Sequence, residues 1–561
     1  MRYVMPVTTP DEETPVHQTD PNGPSAGVVA GLLGAVFIVM QLWTVDYGTR
    51  LNDADAVRQF SFASGAGAAM EERLAGQENV ISRTRAIGES AEKKMLRFKL
   101  YSVNPDEPLS IMALRRIRPG RLDFNPDLFQ YGGGFLYPLG IWYFALSKLG
   151  VVEISSLDAV LKSPDGLDRV YVAGRIFIII AFVLSAWLLY RALRLVTEPW
   201  AATWALGIYL FAPIPILYSM IIKPHWYWLL WICAAMLVFT QGWVRGRFAG
   251  RDEILLGIFI GLVVGTEPIN GVPALLAGAA ILVAVRQGIM RPAAIVLIPL
   301  IAVFCAFLAN PYFVLGWRQV IAKSSANDLM PEALAGPVGI WNFLSTSLPL
   351  GFGIAVVVLA IGLGLYRLIA GKGPMTWYAV ACLGAVVVVV GYVAASRDSP
   401  LASHARFAPY LLPLALLMVV HRPWPYRRQA MAAVFALTVI QSVPTKFTQI
   451  DADDPLRGTR FALASWIETR LPPGTSLCST RASIGPTNMP PIDYTRYPTP
   501  QRDCDYLVAR STGEDVGRVP PGYRLTAEFA PRLWAWRPVA VYGVGNPYFG
   551  LYARAGAPDP Q

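Results

Sequence analysis

Histidine and cysteine are scarce in this chain of 561 residues, which holds four of the first and five of the second. His17, His225, His404 and His421 are scattered, and no His-x-x-x-His or Cys-x-x-Cys spacing supports a zinc centre. A Walker loop, a glycine-rich dinucleotide fingerprint and a Gly-x-Ser-x-Gly elbow are also missing, so a soluble nucleotide chemistry has no support. No cofactor is implied, and the sequence leaves metal dependence open. Cys233, Cys305 and Cys382 fall in apolar runs, where free cysteine behaves as a small hydrophobe. Only Cys478 and Cys504 share a polar region, and there a bridge and two free thiols are both acceptable. Charge is equally thin: 15% of residues are charged against 54% hydrophobic.

What the chain has instead is a succession of apolar runs. With a mean hydropathy of +0.42, they make it a polytopic membrane protein. The first run, Gly27 to Val45, lacks a basic flank and a cleavage site and reads as an uncleaved span, preceded by a disordered cytoplasmic tail over 1–26. Further runs lie near 134–152, 170–190, 200–220, 225–242, 254–267, 269–285, 292–315, 349–370, 375–396, 405–420 and 429–444. Arg191 and Arg194, Arg245 and Arg247, Arg286 and Arg291, Arg367 and Lys372, and Arg427 and Arg428 occupy alternate connections, which the positive-inside rule makes cytoplasmic. The net charge of +10 therefore belongs to topology and anionic headgroups rather than to nucleic acid. Parity requires the run 134–152 to be re-entrant, or one more crossing to be hidden, giving about 11 to 13 crossings in the membrane domain 27–444.

The opposite side receives most of the polar chemistry. Its large loop, 47–133, carries amphipathic stretches over Ala56 to Leu100, and then Asn104-Pro105-Asp106-Glu107-Pro108. Two adjacent carboxylates beside a span are cheap only in water or an aqueous cavity, which suits a catalytic loop. They also suit a helix start, because Leu109, Met112, Ala113 and Ile117 keep helical spacing after them. Asp53 and Asp55 form a weaker acidic pair. Beyond Val443 the chain turns polar and Pro-rich, and 445–561 reads as a soluble α/β domain on the periplasmic or exterior side. Its helix spans Thr459 to Leu471, and its strands fall at Thr475 to Ser479, Tyr506 to Ala509, Leu525 to Phe529 and Val539 to Tyr542.

Asp46-Tyr47-Gly48 after the first span, Pro105-Asp106-Glu107-Pro108, Asp123-Phe124-Asn125-Pro126 and the Tyr131-Gly132 segment together resemble the GT-C membrane glycosyltransferases, in the branch of protein O-mannosyltransferases and aminoarabinose transferases. The resemblance implies a polytopic α-helical GT-C-like membrane protein with a C-terminal soluble α/β domain, seated in the inner (plasma) membrane with its site facing the periplasm or exterior. It implies transfer of a hexose or pentose from a polyprenyl-phosphate donor to a glycan, lipid or protein acceptor, with inversion. Asp106 would be the principal catalytic carboxylate and Glu107 its assistant, or the orienting group through a basic partner. The leaving phosphate needs cations, for which Arg406, His404, Lys223 and His225 are the candidates. Interfacial snorkelling is the rival reading, and it suits Lys223 best. Arg175 lies inside an apolar run and should meet a cavity or a carboxylate such as Glu107. Many relatives carry an acid where this chain has Lys223-Pro224-His225, so the second carboxylate is either missing or supplied by Glu267; Tyr131 completes the candidate set. A polysaccharide polymerase or ligase and a lipid-linked sugar flippase are the rival functions. The first should carry a late basic loop and the second internal repeats, and neither feature is present.

Overall fold

The computed structural model describes residues 23–49, 54–60, 65–75, 90–128 apart from 105, 131–318 apart from 164, 166 and 268–270, then 345, 348–370, 409–421, 424–480, 488–511 apart from 501–502, 519–532 and 546–560. Among them four helices are long and apolar enough to cross a membrane: Ser25–Trp43, Asp168–Arg194, Pro224–Val244 and Arg427–Ala452. Shorter apolar helices accompany them at Pro273–Arg286, Ala294–Ala309, Ile354–Leu363 and Leu411–Val420. Large apolar side chains point outward along these elements, among them Val28, Leu32, Trp187, Leu275 and Val303, as a lipid-facing surface requires.

The chain opens with α1 (Gly23–Trp43) and then forms α2 (Asp55–Gln59), α3 (Ala66–Ala75) and α4 (Ala91–Leu100), in the region expected to hold amphipathic helices. Ser90 caps α4 by accepting from Lys93 N. The paired acids open α5 (Glu107–Arg116), which is followed by α6 (Gly133–Lys148), α7 (Leu157–Lys162) and α8 (Asp168–Arg194). Gly132 N, just ahead of α6, donates to Thr266 O, while Trp142 and Tyr143 on α6 donate to Ala173 O and Val170 O near the start of α8. These contacts tie α6 to the end of the Gly250–Thr266 helix and to the start of α8.

Prolines break what the hydropathy reads as single runs. Residues 200–220 form two helices, α9 (Pro199–Phe211) and α10 (Pro213–Tyr218), because Pro213 offers no N–H and holds Ala212 extended at φ −61° and ψ 149°. Next come α11 (Pro224–Tyr227), α12 (Leu229–Val244), α13 (Gly250–Thr266), α14 (Gly271–Arg286), α15 (Ala294–Ala309) and α16 (Pro311–Leu315). After these the described helices are α17 (Leu348–Phe352), α18 (Ile354–Ala370), α19 (Leu411–Val420) and α20 (Arg427–Ala452). The expected run 375–396 lies outside the described residues. The last run, expected to stop near 444, continues through Pro444 to Ala452. Its polar extension is held by α1: the ammonium of Lys446 donates to Gln41 Oε1 at 3.3 Å and to Thr44 Oγ1.

The tail forms α21 (Thr459–Arg470) and a four-stranded sheet of β1 (Leu477–Ser479), β2 (Tyr506–Ser511), β3 (Tyr523–Phe529) and β4 (Tyr548–Arg554), in the order β1-β2-β4-β3. Only β1 and β2 are parallel, and a register shift at Leu525/Ala527 interrupts β3 against β4. All of β2 is buried, as a central strand should be. β4 is a strand the sequence pattern misses, and Val539 to Tyr542 lies outside the described residues. Cys478 and Cys504 are bridged across 26 residues, with their Cα atoms 5.8 Å apart. A closed loop of this size stabilises by about 3.5 kcal/mol in the chain-entropy picture. Cys504→Ser is therefore expected to lower the unfolding temperature of the purified protein, and thiol reductant should lower the wild type to the same point.

Asp453 joins the two parts, its Oδ2 accepting from Gly48 N at 2.5 Å. Arg460 on α21 is buried over the Phe549 ring, and burial first, then the neighbouring Arg510 cation, pulls its guanidinium below the ordinary arginine value.

Candidate active site

Glu107 is the first residue of α5 and is fully buried. Arg175, equally buried on α8, meets it with both arms of its guanidinium: Nε donates to Oε1 at 2.9 Å and Nη2 to Oε2 at 2.7 Å. Ser102 Oγ also donates to Oε2, and Ile222 N to Oε1 at 3.2 Å. The remaining arm of Arg175 is taken up by the chain after α1, where Nη1 donates to Val45 O at 2.8 Å and Tyr47 O at 2.7 Å. The Tyr47 ring lies 5.3 Å from the guanidinium carbon. A buried pair with every arm occupied in this way is satisfied internally.

This explains Asp46-Tyr47-Gly48 physically. The turn must bring two carbonyls onto Arg175, and Gly48 permits it with φ of +70°, where a Cβ would stand 2.0 Å from Val103 Cγ2. Gly132 is needed for a similar reason, since a Cβ there would meet Gly265 O at 1.8 Å.

Asp106 has a different environment. It precedes α5 in the cap position, as the helix-start reading expects, but its side chain makes no capping bond. Its carboxylate pairs instead with Lys223, and its side chain keeps 31% exposure while that of Lys223 keeps 3%. Lys223 is thus no interfacial snorkeller: Pro224 starts a new helix behind it, and the turn Ile221-Ile222-Lys223 carries the ammonium inward to the acid. Of the two adjacent carboxylates, one is sealed and one is reachable.

A third pair lies in the same layer. His225 Nδ1 and Glu267 Oε2 are 2.8 Å apart, and Trp228 Nε1 donates to the same oxygen at 3.0 Å. Glu267 follows α13 immediately, with its N–H still bonded to Val263 O. Tyr131 is buried against Phe135, one residue ahead of the Gly132 contact with Thr266. The structure therefore gathers Asp106, Glu107, Arg175, Lys223, His225, Glu267 and Tyr131 into one layer at one end of the helices. His404 and Arg406 lie outside the described residues. Among the described residues no three His, Cys, Asp or Glu side chains converge as a metal site requires.

Sequence reasoning missed Ser102, whose hydroxyl reaches Glu107 five residues on, and Asp453 and Trp228, whose partners lie 405 and 39 residues away. It also missed Lys446, whose ammonium donates to Gln41, Thr44 and Gln449 in the layer beneath the site. A lysine inside the final helix would have been the signal, had that helix been drawn beyond 444.

An apolar cavity of about 380 Å3 runs between α12, α13, α14 and α19. Val263 and Tyr410 line it, and Tyr410 packs on Trp228 with ring centroids 5.8 Å apart. The cavity thus reaches the His225–Glu267–Trp228 group through one aromatic contact and one turn of α13.

No protein-family model matches the chain, and no curated protein matches it either. Solved structures do. ArnT from Cupriavidus metallidurans bound to undecaprenyl phosphate is similar over 72% of this chain and 70% of its own, at 13% identity and a TM-score of 0.40. The apo state of the same protein is similar over 82% and 83%, at 12% identity and a TM-score of 0.39. The archaeal oligosaccharyltransferase AglB from Archaeoglobus fulgidus, in complex with an inhibitory peptide and a dolichol-phosphate, is similar over 60% of this chain and 50% of its own, at 15% identity and a TM-score of 0.32. At such identities no residue role passes from them to this chain.

Proposed function

We propose that this chain is an integral membrane glycosyltransferase that moves a sugar from a polyprenyl-phosphate donor to an acceptor at the outer face of the membrane, with inversion. The observation that carries the reading is the reachable Asp106–Lys223 pair, set in one layer with the His225–Glu267–Trp228 group, whose Trp228 packs on Tyr410 in the wall of an apolar cavity. A donor with an isoprenoid chain and a phosphate head needs this combination: apolar volume in the membrane, cations at its end and a base open to water.

In this reading Asp106 accepts the proton of the acceptor hydroxyl or amine as that atom attacks the anomeric carbon. The carbon–oxygen bond to phosphate breaks on the opposite face, and polyprenyl phosphate departs with the bonding pair. Lys223, paired with the base, screens the departing charge and keeps Asp106 oriented. Glu107 and Arg175 hold the α5 start against α8 and the turn after α1. Arg406 and His404 remain candidates for the phosphate, since a guanidinium keeps its charge and can grip two phosphate oxygens. Release of polyprenyl phosphate from synthetic lipid-phosphate sugars, assayed in nanodiscs, tests the reaction class.

The orientation is tested separately. A single cysteine at Ser156 should react with an impermeant thiol reagent in intact cells or spheroplasts, and one at Gly246 should react only after the membrane is opened. Labelling of the Gly246 position in sealed cells would place the site on the cytoplasmic side.

A further inference from the structure

A second cavity, of about 530 Å3, lies on the other side of α5 from the ion pairs. Helical spacing separates the two. Pro108, Ile111, Met112 and Arg115 follow one another at i, i+3, i+4 and i+7 and face the cavity, whereas Glu107, Ser110 and Ala113 are buried on the face toward the site. Ser110 Oγ donates to Ile222 O at 3.1 Å on that inner face.

The cavity has two characters. Its floor is apolar, built from Leu100, Val160, Leu167 and Val170, and its rim carries Arg115, Arg116 and Arg118. Two carboxylates also line it, and both are engaged. Glu71 pairs with Arg115 and accepts from Leu157 N at 3.0 Å, while Glu153 accepts from Ser155 N at 2.6 Å. Arg116 pairs with Asp123 at 3.2 Å. Arg115 and Arg116 have carboxylate partners, whereas among the described residues the Arg118 side chain meets no carboxylate and is the rim cation left to an anionic ligand. The same rim continues into Arg121, Leu122 at 81% exposure and Phe124 at 39%. Exposed apolar side chains interleaved with arginines, in the layer of the helix ends, are what a headgroup boundary selects.

We infer that this cavity is a site for an anionic phospholipid of the leaflet on the side of the active site. Arg118 takes its phosphate, and Leu100, Val160 and Val170 take the upper part of a chain. A lipid there would brace the α5 face opposite Glu107 and Ser110, and so fix the helix whose first turn presents Asp106. The site needs no transfer reaction to exist, and its test needs none.

Native mass spectrometry of the full chain, released from nanodiscs of phosphatidylglycerol or of phosphatidylcholine, reads retention directly. Wild type should keep one phosphatidylglycerol through detergent exchange and no phosphatidylcholine. An arginine beside an anionic headgroup is worth about fivefold in binding, so Arg118→Gln should weaken retention by about that factor. Val160→Trp, which fills the floor, should abolish it. Thermal unfolding in phosphatidylcholine discs identifies the variants that fold, and Arg118→Gln, a surface change, keeps the test available if Val160→Trp does not fold. Equal retention of the two lipids by wild type, or undiminished phosphatidylglycerol on folded Arg118→Gln, overturns the site.

Discussion

Replacing Asp106 by asparagine is expected to cut turnover by about a hundred- to ten-thousand-fold while the protein still folds and inserts. The size follows from the role. A positioned general base contributes on that scale, and the amide cannot take the acceptor proton. The loss of stability should be smaller than at Glu107, because the Asp106 side chain keeps 31% exposure and makes no capping bond, and the amide oxygen still accepts from the buried Lys223 ammonium. Turnover of lipid-phosphate sugar in nanodiscs, with unfolding followed on the same preparation, checks both halves. A folded Asp106→Asn that transfers sugar at near the wild-type rate would remove Asp106 from the chemistry.

Asp106 and Glu107 stand out in the sequence because two carboxylates in a sparsely charged chain need water or a cation. Arg175 stands out for the converse reason, and its pairing with Glu107 follows from the cost of a lone cation in an apolar run. The division of labour between the two acids is not legible. It depends on the turn at Gly48 and on Ile222 N, which seal Glu107, and on Lys223, more than a hundred residues along the chain from Asp106. Helix existence was readable from hydropathy. Helix ends were not, because Pro213 splits a run that hydropathy joins, and Lys446 extends a helix that hydropathy stops. In the tail, α21 and three strands follow from pattern. β4 does not: Tyr548–Arg554 includes Gly550 and becomes a strand by pairing with both β2 and β3.

The Glu107–Arg175 pair should respond in the opposite way to Asp106. Removing one member of a buried, hydrogen-bonded ion pair leaves the other charged and desolvated, a loss of about 3 to 5 kcal/mol. Arg175→Met removes in addition the donors to Val45 O and Tyr47 O, so the turn after α1 loses its hold along with the start of α5. Glu107→Gln keeps the shape and an acceptor oxygen, yet leaves the guanidinium without its counter-charge. Both variants are expected to unfold at markedly lower temperature in detergent, with Arg175→Met the worse. Activity should fall in step with the folded fraction, whereas Asp106→Asn loses far more activity than its smaller loss of stability accounts for. A single neutral substitution thus separates the roles. If Glu107→Gln retained wild-type stability and lost turnover a hundredfold or more, the sealed carboxylate would be the base, and Asp106 would be the residue that orients it through Lys223.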